Sequence, residues 1–131
     1  MKAMDPFILK ATERVQFARD RFQPVPLVQN NRLKVQLIGF EPGQQIPLHT
    51  PGVDLVLTVL QGHGLVIAGE KEGVVGPGSV IFVPAGVARS VRAHTRLVAL
   101  AVVSPPPTAS DHVEVEAALE RAEMTSFDCS S

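Results

Sequence analysis

The sequence has no tryptophan, no tyrosine and one cysteine among 131 residues. Its aromatic surface therefore reduces to 6 Phe, too few for the stacking platforms on which single-stranded nucleic acids are held. The lone thiol, Cys129, excludes an intramolecular disulfide and a cysteine-only metal cluster, and sets the expectation of a reducing, cytoplasmic compartment. Two residues from the end of the chain, it lacks the fixed neighbours that activate a thiol and reads as a stray tail residue.

Charge of one sign is missing too. The 12 Lys and Arg are scattered among 13 Asp and Glu, for a formal net charge of -1, whereas a nucleic-acid face needs clustered cations to neutralise phosphates. No nucleic-acid partner is expected. Long hydrophobic runs are absent as well: the longest uncharged stretch, Gly73 to Ala88, is broken by glycines and prolines and is shorter than a membrane span. The opening Met1-Lys2-Ala3-Met4-Asp5-Pro6 has no apolar run with a cleavage site behind it, so neither a signal peptide nor a membrane partner is expected.

What remains is a chain of one-domain length, 45% hydrophobic and 19% charged, able to bury one core. From Arg32 to Val103 short Val, Leu and Ile runs alternate with Gly and Pro signals, the pattern of an all-β barrel or sandwich. Leu33, Val35 and Leu37 alternate with Lys34 and Gln36, which predicts a half-buried strand ending at Glu41-Pro42-Gly43-Gln44. Further strands are expected near 53–60, 65–68, 73–75, 80–83, 88–93 and 96–103. Residues 1–31 form an N-terminal extension, expected to supply strands to the barrel or to a dimer interface; within it, Thr12 to Phe22 fits a helix through Val15, Ala18 and Phe22 or a strand through Val15 and Phe17, and the strand is the expectation. After residues 32–103, the barrel core, residues 104–131 comprise a Pro-rich exit, a short helix and a frayed tail from Thr125. Asp111 and Glu114 resemble a capping box, followed by an apolar stripe of Val115, Ala118, Leu119 and Ala122.

Signatures of other chemistries are weak. Gly62-His63-Gly64 lacks the third glycine and the strand-to-helix setting of a dinucleotide fingerprint. Ser79, Ser90 and Ser104 have no nucleophile elbow around them. His63, His94 and His112 fall in turns or at the start of the expected helix, where a solvated histidine is the ordinary case.

Two stretches carry a resemblance. In the first, Gly43 is followed by five residues, then His49-Thr50-Pro51, three residues, Leu55, six residues and Gly62. In the second, Gly78 is followed by five residues, then Pro84-Ala85-Gly86, two residues, Arg89, three residues and Ala93, with fifteen residues between the two stretches. These resemble the two motifs of the cupins, small single-domain members especially. The resemblance implies a double-stranded β-helix, a jelly-roll barrel, with a short C-terminal helix. It would place three His and one Glu at positions 49, 51, 55 and 89 as ligands of Fe, Mn, Ni or Zn. This chain has His49, Pro51, Leu55 and Arg89 there. Pro and Leu cannot ligate, and Arg brings positive charge where a cation would sit. Metal ligands are therefore not expected, nor a cofactor. Asp54 would be a substitute only if a bulge turned it inward, since strand neighbours point to opposite faces.

If the resemblance holds, His49 and Arg89 project into a barrel lined by Leu55, Leu57, Val59 and Val91, with Val87 sharing the face of Arg89. An apolar bowl with few polar groups is the usual form of a small-molecule pocket, and a guanidinium offers two parallel donors to a carboxylate. The expected function is metal-free binding of a small, anionic ligand, or an accessory role. The competing local reading turns Arg89 to the rim to pair with Asp54 or Glu41 and leaves His49 as a satisfied core histidine. Alternatives in function are a cupin enzyme, using a divalent metal at a non-standard site with His49 and Asp54 or acting as a metal-free isomerase or epimerase through His49, and a scaffold or interaction module. A homodimer is expected, because an open barrel has edges to cover.

Overall fold

The computed structural model describes residues 5–107 and 115–119. Nine strands follow in chain order: β1 (Gln23–Gln29), β2 (Lys34–Phe40), β3 (Gln45–His49), β4 (Asp54–Gln61), β5 (Gly64–Ala68), β6 (Lys71–Val75), β7 (Val80–Val83), β8 (Arg89–Ala93) and β9 (Leu97–Ser104). They build two antiparallel sheets, ordered β1-β2-β9-β4-β7 and β3-β8-β5-β6. The chain passes back and forth between the layers, the winding of a jelly-roll barrel. The all-β expectation and the strands foreseen from Asp54 onward match this architecture within a residue or two at their ends.

Strand periodicity decides what faces inward. On β4, Leu57 and Val59 are buried and Leu55 is half-buried, while Asp54 and Val56 are exposed. β9 runs between β2 and β4 and is buried almost throughout. Phe40, Leu37, Leu97, Val59, Val83 and Val98 are the largest fully buried side chains, and burying each stabilises the fold by roughly 1.5–3 kcal/mol.

β3 is absent from the expected strands, and β1 falls in the N-terminal extension expected to supply strands but given no bounds; proline is the reason in both cases. β1 contains Pro24 and Pro26, β3 contains Pro47, and proline demotes a strand reading because it cannot donate to a ladder. Both strands lie at sheet edges, where one side of the backbone needs no partner.

The sense of β2 corrects the sequence reading. The polar members Lys34 and Gln36 face the inside of the barrel with Ile38, and it is Leu37 whose side is covered from without. The cover is the N-terminal segment, so tightly seated that a Cβ at Gly39 would run into the Gln16 carbonyl and the Val15 side chain. This segment also corrects the strand expectation for Thr12 to Phe22. It forms one 3-10 turn, Ala11–Glu13, and then runs without regular structure to β1. Side chains hold it instead of a ladder: Gln44 Nε2 donates to the carbonyls of Ala18 and Arg19, and the Arg96 guanidinium lies 3.8 Å from the Phe17 ring centre.

The four glycines of the two sequence motifs, Gly43, Gly62, Gly78 and Gly86, all have positive φ, so they serve the turns and not the chemistry. Gly62 is the most constrained, because a Cβ there would also strike the Arg96 carbonyl. Residues 115–119 are helical, with Ala118 and Leu119 buried and Val115 packed on the core. Asp111, His112, Glu114, Ala122, Cys129 and the tail from Thr125 lie outside the described residues. No helix among the described residues is long and apolar enough to cross a membrane.

Candidate functional site

Between the two sheets lies a cavity of about 250 Å³. Its walls come from the inward rows of both layers: Ile38 of β2, Leu55 and Leu57 of β4, Ala101 and Val103 of β9, and Val91 of β8. The small Ala101 sits in register between Gln36 and Leu57, and its missing side-chain volume leaves room there. Pro107, Val115 and Glu116 complete the lining from the C-terminal side, and Arg21 and Phe22 from the N-terminal side. Three cations, Arg21, Lys34 and Arg89, and one carboxylate, Glu116, line it among the described residues.

Arg89 is 5% exposed. Its Nη2 donates to the carbonyl oxygens of Val53 and Pro84, each at 2.9 Å, and Nε and Nη2 both reach the Val87 carbonyl at 3.3 Å. A buried guanidinium must have its charge answered, and backbone carbonyls from two loops contribute here. The same loops are tied by Gly86 N donating to the Pro51 carbonyl and Ala85 N donating to Asp54 Oδ1. Arg89 thus fastens the β3–β4 loop to the β7–β8 loop beside the cavity.

His49 stands across from Arg89 in the β3–β8 register, after an irregularity between Ile46 and His49. Its Nδ1 lies 2.9 Å from the Pro47 carbonyl. A carbonyl only accepts, so the bond requires the proton on Nδ1 and leaves Nε2 of the neutral ring as an acceptor. No buried side-chain nitrogen or oxygen among the described residues lacks a partner, so Nε2 of this half-buried residue, which makes no such bond, is open to solvent.

The structure brings His49, Arg89, Leu55, Leu57 and Val91 together around the cavity. Val59, expected among them, does not line it. Val59 pairs with Ala99, one inward row beyond Leu57, and is buried in the same hydrophobic core as Phe40 and Leu97. Asp54 points outward and is occupied by Ala85 N, so the bulge that would turn it inward is not there. The rim pairing of Arg89 is likewise corrected: Arg89 is buried among carbonyls, and Glu41 is bound by Arg96 Nε at 2.6 Å.

Sequence reasoning missed Arg21, Lys34, Gln36 and Glu116. Alternation with Leu33, Val35 and Leu37 in a half-buried strand gives Lys34 and Gln36 no sign of a place in the lining. Arg21 and Glu116 meet through two 3.0 Å contacts between residues 95 apart in the chain, which no local pattern signals.

The donor set does not suit a metal. Of the four positions named above, His49 alone offers a ligating atom, and no group of three or more His, Cys, Asp or Glu among the described residues could hold an ion.

Comparison with known proteins agrees with the fold and leaves the ligand open. The chain is similar to the TT1209 protein of Thermus thermophilus, at 29% identity and a TM-score of 0.71 over 75% of this chain and 96% of that one. It is also similar to an RmlC-like cupin from Desulfovibrio desulfuricans, at 28% identity and a TM-score of 0.65 over 79% of this chain and 99% of that one. A double-stranded β-helix protein from Klebsiella pneumoniae shares the fold at 19% identity and a TM-score of 0.70, over 77% of this chain and 91% of that one. No curated protein matches the chain. The cupin domain family matches residues 36–103, the span from within β2 almost to the end of β9 that encloses most of the cavity, and the chain belongs to that family.

Proposed function

We propose that this cupin is a metal-free small-molecule-binding or accessory protein whose cavity takes a ligand with an apolar body and an anionic end. The observation that carries the reading is the cavity itself: mostly apolar walls, of Leu, Val, Ile, Ala, Pro and Phe, with cations outnumbering the single carboxylate among its described lining residues. Apolar walls supply affinity and a few polar groups fix orientation. In this reading Arg89 and His49 form one polar end, Arg89 adding positive potential and His49 Nε2 accepting a hydrogen bond from a donor group of the ligand.

The test fills the cavity. Ala101→Leu, placed in the wall, is expected to abolish binding of small carboxylic acids measured by calorimetry while the circular dichroism spectrum of the fold persists. Unchanged binding in that variant overturns the reading. Native mass spectrometry of freshly purified protein gives a second readout, with a copurified acid as the expected result.

One observation favours acid–base chemistry as a second reading: the Pro47 carbonyl fixes the His49 tautomer and leaves Nε2 as a solvent-open base. It predicts turnover of a bound ligand that His49→Gln abolishes without loss of affinity.

A further inference from the structure

We propose that the anionic end of the ligand is read by Lys34 and Gln36 on β2, and that the ligand class is an amphiphilic monocarboxylate. The inference rests on the cavity being a ligand site, and it adds where the charge is recognised.

The other charged groups of the lining have partners. Arg21 is joined to Glu116 by two contacts of 3.0 Å, and Arg89 donates to the carbonyls of Val53, Pro84 and Val87. Lys34 is different. It is half-buried, it lines the cavity, and its ammonium has no hydrogen-bond or ion-pair partner among the described residues. Gln36, also half-buried in the lining, has a side-chain amide without a protein partner among them. The two stand on the same face of one strand, about 7 Å apart along it. An ammonium and an amide N–H so spaced present donors to a carboxylate from one side.

The neighbours of this pair are apolar. Across the ladder Lys34 is opposite Val103, itself opposite Leu55, and Gln36 is opposite Ala101, itself opposite Leu57. On the outer side Gln36 is opposite Pro26. A charged head fixed on β2 would therefore have its hydrocarbon portion along β9 and β4. A single ammonium matches one negative charge better than a phosphate dianion. The cavity, about 250 Å³, is near the lower end of small-molecule pockets and suits a small ligand.

The experiment is calorimetric titration with octanoate and with 1-octanol, which share a chain and differ in charge, and with benzoate as a compact carboxylate. Wild type is expected to bind octanoate at least tenfold more tightly than octanol. Lys34→Met, near-isosteric and placed at a half-buried position, is expected to bring octanoate down to the octanol level and leave octanol unchanged. Lys34→Arg keeps the charge and is expected to keep the preference, which separates recognition from misfolding. Gln36→Leu is expected to weaken octanoate several-fold. If wild type binds octanoate and octanol alike, or if Lys34→Met retains the preference, the assignment to β2 is overturned while the cavity reading stands. If none of the three probes binds wild type, the cavity reading fails and the assignment falls with it.

Discussion

His49 and Arg89 face each other across the β3–β8 pair, yet their nitrogens serve different ends. The guanidinium is turned to loop carbonyls, whereas the imidazole uses one nitrogen on its own strand and leaves the other open. The family's ligand positions have thus become a loop fastener and a free acceptor, and the two can be separated by mutation.

Arg89→Leu removes the donor from the carbonyls of Val53, Pro84 and Val87. The Pro84 carbonyl keeps Val87 N as a donor, and an unsatisfied buried polar group costs about 1–3 kcal/mol, so the expected loss in urea unfolding is about 2 kcal/mol or more. Arg89→Lys is expected to recover only part of it, because an ammonium cannot reproduce the planar fork. Equal stability of Arg89→Leu and wild type would show that the loops hold without it.

His49→Ala is expected to leave stability nearly unchanged, since its one bond is to a carbonyl two residues away. It is also expected to leave metal content unchanged at well below one ion per chain. Mass spectrometry of the metal, with protein quantified by amino-acid analysis because Trp and Tyr are missing, checks this. One ion per chain, lost in the variant, would sink the metal-free reading.

Gly62→Ala places a side chain at φ 83° and against the Arg96 carbonyl. A non-glycine residue in that region costs about 1–3 kcal/mol, and the contact adds to it. Thermal denaturation is expected to show a clear drop for Gly62→Ala and a smaller one for Gly43→Ala, whose Cβ would meet nothing within 4 Å.

The homodimer expected from the open barrel edges is predicted to use the outer side of β4 and β7. There Val56 and Phe82 pair across the strands and Val80 lies beside them, exposed by 39%, 60% and 68%. The face is apolar, β7 is a sheet edge, and a two-fold contact would bury the same residues twice. Light scattering is expected to give twice the chain mass for wild type and the chain mass for Phe82→Glu. A monomeric wild type at micromolar concentration refutes it.

Much of this fold is legible in the sequence because turn chemistry is local. Gly43, Gly62, Gly78 and Gly86 mark positions that only a permissive residue fills easily, and the runs between them alternate or bury as strands do. The site is less legible because its decisive contacts are distant. Nothing around Leu37 announces that Gln16 will pack outside β2, yet that packing gives the apolar residues an outer home and turns Lys34 and Gln36 inward. Nor does alternation say how deep a residue sits: Leu57 and Val59 share a face, but only Leu57 reaches the cavity.

The meeting of Arg21 with Glu116 has a temporal consequence. Their side chains are 38% and 56% exposed, so the ion pair is worth at most about 1 kcal/mol, but it joins segments 95 residues apart. During synthesis both sheets can assemble once β9 has left the ribosome, while the wall made by Val115 and Glu116 is still unmade. On the proposed ligand reading, a molecule reaching the barrel before Val115 and Glu116 are in place meets an open trough, so its enclosure waits on residues that follow the barrel core in the chain.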